Sequence, residues 1–294
     1  MPRWRVGAAA AAGVCLFVTA VTGAVESGCA APTDDCVAVG SWSLSVALGV
    51  GVRTNPVVQG HDIPLILVPQ FSYYGKRFFI DNLDPGVTLF DGESNTLSLI
   101  ATPGYDRVFF YRADPQNFFI FSSSAVAGSG LSVLMKLPAN QPLEIPANVL
   151  ELPQPARKVT YLAGPEWTFK QGSLTGQVDY LHEITGHSHG DEIRAALGFP
   201  MGTALGGMVS GRVGLTWESA STVNYYYGFP GFYDAGWALN PFVKLGYSRP
   251  LGGHWKLDAL VHVERLGNAI SDSPIVDRHY VTTSFIGATY VFHK

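Results

Sequence analysis

The segment that decides the fold is at the end of the chain, residues 280–292, which reads YVTTSFIGATYVF. Successive side chains of a β-strand point to opposite faces, and neither set of alternate positions in this segment contains a charged residue. A globular strand is usually about half this long, and so long an apolar strand would aggregate in water. A tilted strand of roughly 9 to 11 residues spans a bilayer. The segment is therefore typical of a membrane-spanning β-strand.

The composition agrees with a protein that exposes apolar surface to lipid. Of the 294 residues, 47% are hydrophobic and only 14% are charged, whereas soluble domains have roughly 25% charged residues. The formal net charge of -4 lacks the basic excess of nucleic-acid-binding proteins. We therefore expect outer-membrane lipid as a partner and no nucleic acid.

The N-terminus has the form of a secretory signal peptide. Arg3 and Arg5 precede an apolar run that is followed by small residues. We expect removal of residues 1–30, which leaves residues 31–40 as a short periplasmic segment; an uncleaved anchor is the alternative. If cleavage spares Cys29, it could pair with Cys36 in an oxidising compartment; the alternative is that both cysteines are incidental. No later segment has the roughly 18 uninterrupted apolar residues of a spanning helix, so a mature membrane domain must be β.

The segment HWKLDALVHVERL, residues 254–266, shows how the strands divide their faces. Val261 and Val263 share one face with other apolar residues, while His262 lies on the other face among charged residues. This is the pattern of a barrel strand between lipid and a lumen. The same pattern recurs along the chain and predicts eight lumen-facing charges: Glu166, Asp179, Arg194, Arg212, Lys244, Lys256, Asp258 and Glu264. We expect them to bridge much of the interior; a narrow solute path is the alternative.

These patterns predict an all-β protein, a transmembrane antiparallel up-and-down β-barrel over residues 41–294. Bacterial barrels have even strand numbers, and we expect about twelve strands, within a range of roughly 10 to 14. The clear segments number one fewer, so we predict the remaining strand within residues 108–124 and a long Pro-rich outer loop near residues 125–156. Closure places the final strand, which ends in Tyr290 and Phe292, beside the first strand near Trp42.

Two groups of polar residues could indicate chemistry. His182, His187 and His189 are possible metal ligands, but they lack the spacing of a zinc site, and we favour a solvated hairpin. Ser271, Asp272 and Ser273, with His262, raise the possibility of a hydrolase; no nucleophile motif is present, and we favour turn hydrogen bonds. The sequence therefore predicts no metal, no cofactor and no enzymatic activity.

Three stretches carry a resemblance to a known family: NYYYGF at residues 224–229, RLGNAISDSPIV at residues 265–276 and the closing GATYVF. They resemble the MipA/OmpV family of MltA-interacting protein-like outer-membrane proteins. The resemblance covers nearly the whole mature chain and is weakest between residues 106 and 154. It implies an outer-membrane β-barrel of a Gram-negative bacterium, without established catalytic residues.

The resemblance also implies a role. For the namesake members of the family, that role is a scaffold joining a lytic transglycosylase to a peptidoglycan synthase. We therefore expect a non-catalytic scaffold that meets peptidoglycan-remodelling enzymes at its periplasmic turns. We also expect the aromatic C-terminal strand to be recognised by the barrel assembly machinery. The alternatives are a narrow channel for small solutes and a surface adhesin that uses the outer loops.

Overall fold

A computed structural model describes residues 40–111 and 157–293. In this part of the chain, twelve antiparallel strands form a closed barrel, which confirms the predicted fold class. The strands are β1 (Ser41–Arg53), β2 (Ile63–Tyr74), β3 (Phe78–Asp81), β4 (Asp84–Asp91), β5 (Asn95–Pro103), β6 (Tyr161–Gln171), β7 (Leu174–Glu183), β8 (Asp191–Ala204), β9 (Gly207–Glu218), β10 (Ala238–Gly252), β11 (Trp255–Arg265) and β12 (Tyr280–His293).

Three short helices lie in the connections between strands. They are a 3₁₀ helix (Tyr105–Phe109), α1 (Ala220–Tyr227) and α2 (Asn268–Ser271). No helix within the described ranges has the length and apolar character needed to cross a membrane. The predicted signal peptide (1–30), nearly all of the predicted segment 31–40 and the predicted Pro-rich loop near 125–156 lie outside the described residues.

The barrel closes where the first and last strands pair. Val46 of β1 lies opposite Tyr290 of β12, and Gly49 lies opposite Gly287. The two backbones approach closely here: a Cβ atom added to Gly49 would lie 2.2 Å from the carbonyl oxygen of Ile286. Glycine is required in this register because any side chain would separate the paired strands.

The number of strands agrees with the prediction, but the position of one strand in the sequence does not. β5 pairs directly with β6, from Asn95 opposite Phe169 to Pro103 opposite Tyr161, so no strand fits between them. The prediction of a strand within residues 108–124 is therefore wrong for its described part: Val108 belongs to the 3₁₀ helix. Residues 112–124 lie outside the described residues.

The additional strand comes from a hairpin in residues 76–91, a segment whose sequence has the pattern of one continuous strand. The chain turns at Asn82, whose φ of 57° is left-handed, a conformation that asparagine tolerates better than most residues. The side chain of Asn82 accepts a hydrogen bond from the Phe71 amide at 3.0 Å, which joins the turn to β2. The segment thus forms β3 and β4, and the count reaches twelve.

The two ends of the barrel differ in their connections. One end of the barrel carries both of its termini, and the turns at this end have only two or three residues. These turns are at 75–77, 92–94, 172–173, 205–206 and 253–254. Long loops lie at the other end, apart from the tight Asn82 turn. Short turns are periplasmic and long loops extracellular in outer-membrane barrels. We call the two ends the periplasmic end and the outer end accordingly.

Candidate functional site

The interior of the barrel contains charged side chains arranged in rows. Paired residues on neighbouring strands lie directly opposite each other, so inward-facing side chains line up across the wall. In one row, Glu166 lies opposite Asp179, and Asp179 lies opposite Arg194. All three are buried. The side-chain amide of Gln177 donates to Glu166 Oε2 at 2.9 Å and to Asp179 Oδ2 at 3.0 Å.

A second row is basic. It runs through Arg212 of β9, Lys244 of β10, His262 of β11, Thr283 of β12 and Arg53 of β1, each opposite the next. We call these five residues the basic row. Arg53 Nε donates to Thr283 Oγ1 at 3.0 Å. Neither Arg53 nor Thr283 was among the predicted interior residues.

The eight predicted lumen-facing charges differ in their degree of burial. Five are buried, namely Glu166, Asp179, Arg194, Asp258 and Glu264, and three are half-buried, namely Arg212, Lys244 and Lys256. Within this set, Lys256 Nζ lies 3.4 Å from Asp258 Oδ2. Arg194 pairs instead with a residue outside the set, Glu192, at 2.7 Å.

The outer end of the barrel is filled by loops that pack against each other. One buried apolar cluster is formed by side chains from the 3₁₀ helix, from α1, from α2 and from the segment that follows α2. We call this the outer loop cluster; it includes Val108, Phe109, Val223, Tyr226, Tyr227, Ile270, Ile275 and Val276. The Arg157 guanidinium lies over the Phe110 ring at 4.1 Å and donates to the Tyr226 carbonyl oxygen at 2.6 Å. Among the described residues, these loops cover the interior.

A buried carboxyl group lies directly beneath the outer loop cluster. Asp106 accepts a hydrogen bond from the Tyr227 hydroxyl at 2.7 Å and is also hydrogen-bonded to the side chain of Glu218. Burial and, to a smaller extent, the nearby charge of Glu192 raise the pKa of Asp106 to about 6, although the hydrogen bond from Tyr227 lowers it in part. Burial likewise raises the pKa of the Tyr227 phenol. Two carboxyl groups that hydrogen-bond to each other must share a proton.

The periplasmic end, in contrast, is open. A cavity of about 780 Å³ begins at the turns 92–94 and 172–173 and extends into the barrel as far as Gln177, Arg212 and Lys244. We call it the periplasmic vestibule. Its inward side chains include the hydroxyl groups of Thr96, Thr168, Thr175 and Ser210. In residues 40–111 and 157–293, the interior is therefore closed by the outer loop cluster and accessible from the periplasmic end.

The predicted histidine candidates have structural contacts in the β7–β8 loop. The His182 Nδ1 atom lies 2.9 Å from Asp191 Oδ1. The backbone amides of His187 and His189 donate to Glu183 Oε2 at 2.9 and 3.0 Å, so the loop is organised around this carboxylate. Within residues 40–111 and 157–293, no three His, Cys, Asp or Glu side chains are grouped to hold a metal ion.

The residues considered for a hydrolase are likewise engaged in structural contacts. Ser273 Oγ donates to the Tyr227 carbonyl oxygen at 2.6 Å, which ties the segment after α2 to α1. The His262 ring packs edge-on against Phe242, with 5.2 Å between ring centroids. Asp272 caps the end of α2 through its backbone amide, which donates to Asn268.

Comparison with known proteins gives a consistent result over most of the chain. The family model described as MltA-interacting protein MipA matches residues 48–292. The MltA-interacting protein of Escherichia coli (strain K12) is 23% identical over 270 residues, covering 87% of this chain and 93% of the relative. The putative outer membrane protein YiaT of Escherichia coli (strain K12) is 23% identical over 260 residues, covering 85% of this chain and 91% of the relative.

Solved structures of outer-membrane proteins also align with the barrel. The outer-membrane-expressed OmpT of Vibrio cholerae aligns with a TM-score of 0.35 and 11% identity, covering 85% of this chain and 97% of that chain.

Proposed function

Because the chain belongs to the MltA-interacting protein MipA family, we propose that it is a non-catalytic scaffold in the outer membrane that binds a lytic transglycosylase at its periplasmic turns. The predicted family and the predicted outer-membrane location are both confirmed. The scaffold role rests on one observation: a relative that aligns over 87% of this chain is named for its interaction with MltA. A peptidoglycan synthase would be the second enzyme of the complex.

The architecture supports a scaffold more than an open channel. Val223 and Tyr227 of the outer loop cluster are fully buried, so the packed loops oppose the passage of solutes through the outer end. The periplasmic end, where a peptidoglycan enzyme would dock, presents five short turns. Short turns between paired strands are rigid, and rigid surfaces lose little entropy on binding.

One of these turns carries an exposed apolar side chain at its tip. Leu205 is 86% exposed, and its φ of 48° is followed by a φ of 75° at Gly206. Two left-handed residues define a turn in which Asn-Gly is the favoured sequence, and a leucine there is strained by roughly 1–2 kcal/mol. Strained, exposed apolar residues occur at binding sites. We propose Leu205 as a contact for the enzyme partner.

Binding of a purified lytic transglycosylase to the detergent-solubilised barrel tests the proposal. The substitution Leu205→Asn keeps the turn conformation and removes the apolar contact, so affinity should fall by about tenfold. The control is Phe232→Asn, which removes a side chain that is 69% exposed in a loop at the outer end. Absence of binding by the unmodified barrel would refute the scaffold role, whereas equal affinity of Leu205→Asn would refute only this contact.

A further inference from the structure

The inner end of the periplasmic vestibule has the features of an anion-binding site. We propose that it binds the carboxylate group of a small polar solute of saccharide size, with Lys244 as the principal contact and Arg212 and Gln177 beside it. This inference concerns the interior of the barrel and does not depend on the scaffold role.

The first argument is the state of Lys244. Its ammonium group forms no hydrogen bond or ion pair within the part of the chain that the structure describes, although its side chain is half-buried. Two other interior cations have carboxylate partners: Arg194 pairs with Glu192, and Lys256 pairs with Asp258. Burying a charge without a partner costs free energy. A bound anion would offset that cost.

The second argument is how charge is distributed around the vestibule. Lys244 lies in the basic row between Arg212 and His262. Two buried acidic side chains of the adjoining row, Glu166 and Asp179, accept hydrogen bonds from the Gln177 amide nitrogen. Arg212 Nη2 donates to the amide oxygen of the same glutamine at 2.6 Å. Gln177 therefore lies between these two acids and Arg212. The cationic groups of Arg212 and Lys244 line the inner end of the cavity, whereas the acidic residues Asp91 and Glu93 line its mouth.

The third argument is the shape and lining of the vestibule. Its volume of about 780 Å³ falls within the roughly 300–1,000 Å³ of typical ligand pockets. Gly198 and Gly246 lack side chains and leave room beside Arg212 and Lys244, while four hydroxyl side chains line the wall. Since the outer loop cluster covers the other end, the vestibule is a blind pocket that fits a polar, hydroxyl-rich molecule.

The number of charges favours a carboxylate over a doubly charged anion. Two cations, Lys244 and Arg212, line the inner end of the vestibule, and the acids behind Gln177 offset part of their charge. A single negative charge with two oxygen atoms matches this arrangement, because a guanidinium and an ammonium group both donate to carboxylate oxygens.

Calorimetric titration of the full-length barrel in detergent micelles tests the proposal with two matched sugars. N-acetylmuramic acid carries a carboxylate that N-acetylglucosamine lacks, so the acid should bind at least about tenfold more tightly. Lys244→Met removes the charge with little change in volume and should weaken binding of the acid by about tenfold. The control Lys170→Met, at the exposed rim of the same vestibule, should leave the affinity unchanged.

Three results would overturn the proposal. They are equal binding of the two sugars, absence of binding by both, and an equal loss in the Lys170→Met and Lys244→Met variants. If Lys244→Met failed to assemble, as judged by heat-modifiable migration in detergent gels, Lys244→Arg would replace it. That variant keeps the charge and should retain binding within about threefold, whereas complete loss of binding in an assembled Lys244→Arg barrel would contradict the charge-based argument.

Discussion

The Tyr227 hydroxyl donates a 2.7 Å hydrogen bond to the Asp106 carboxyl group, joining residues that are 121 positions apart in the chain. The bond connects α1 to the 3₁₀ helix beneath the outer loop cluster, and both residues are buried. A buried hydrogen bond of this kind stabilises mainly because breaking it would leave a desolvated polar group without a partner. The closure of the outer end therefore depends on a polar contact as well as on apolar packing.

The burial of Asp106 predicts that the outer loops are more stable in acid. Burial raises the pKa of Asp106 to about 6, above the value of roughly 3.9 for an unfolded aspartate. The folded state thus binds the proton more tightly, so stability is greatest below about pH 4 and is lost as pH rises through about 6. The hydrogen-exchange protection factors of the 3₁₀ helix and α1, which correct for the intrinsic rise of exchange rate with pH, should fall over this range. Asp106→Asn should flatten the dependence; an unchanged pH profile in that variant would assign the effect to another group.

The outer loop cluster should also control ion passage. Val223 is fully buried in the cluster, so Val223→Asp places a charge where it cannot be solvated without opening the packed loops. We expect low conductance of the unmodified barrel in planar bilayers and a higher conductance of this variant. Phe232→Asp changes an exposed residue of the same loop and should leave conductance low. A barrel that conducts freely before any substitution would contradict this prediction.

A charged residue introduced on the lipid-facing surface should destabilise the barrel more near the membrane midplane than near its edge. Val261 is an outward residue near the middle of β11, and Val261→Arg should destabilise the barrel by about 2–4 kcal/mol. Val159→Arg changes an exposed valine that lies just before β6 at the outer end and should cost about 0–1 kcal/mol. Urea unfolding in liposomes measures both. Equal costs would mean that Val261 is not at the membrane midplane.

The junction of β1 and β12 should tolerate added atoms poorly. Gly49→Ala would place a methyl group 2.2 Å from the Ile286 carbonyl oxygen, which should cost about 1–3 kcal/mol. The control is Gly246→Ala, whose methyl group would approach only the movable Ser210 hydroxyl, at 2.9 Å. The temperature at which the folded gel band disappears should fall for the first variant and change little for the second.

The alternation of side chains was sufficient to predict the barrel, because lipid and a polar interior impose a period of two on every strand. The same pattern was insufficient where a strand is short. β3 has only four residues, too few to show a recognisable alternation. Its turn at Asn82 lies inside a segment whose sequence has the pattern of one continuous strand. The available signal was the cluster of turn-forming residues Asp81, Asn82 and Asp84.

The interior was predicted only in part because its contacts depend on register. Arg53 continues the inward series of Ala47, Gly49 and Gly51 in β1 and could have been identified by extending the alternation to the end of the strand. The basic row could not have been identified from the sequence, because identifying it requires knowledge of which residues of five strands lie opposite each other. The outer loop cluster and the position of Asp106 also result from tertiary packing between distant segments, which no local pattern encodes.

The pairing of β1 with β12 has a consequence for how the chain reaches its final state. The inward contact between Arg53 and Thr283 spans 230 positions, whereas every other pair of strands in the barrel joins strands that are consecutive in the chain. A chain delivered from its N-terminus therefore exposes one edge of β1 until the last strand arrives, and such edges recruit other chains. Long-range pairing is also slow. The final fourteen residues of strand thus decide whether the polypeptide matures or aggregates, and a truncation there should be lost during biogenesis.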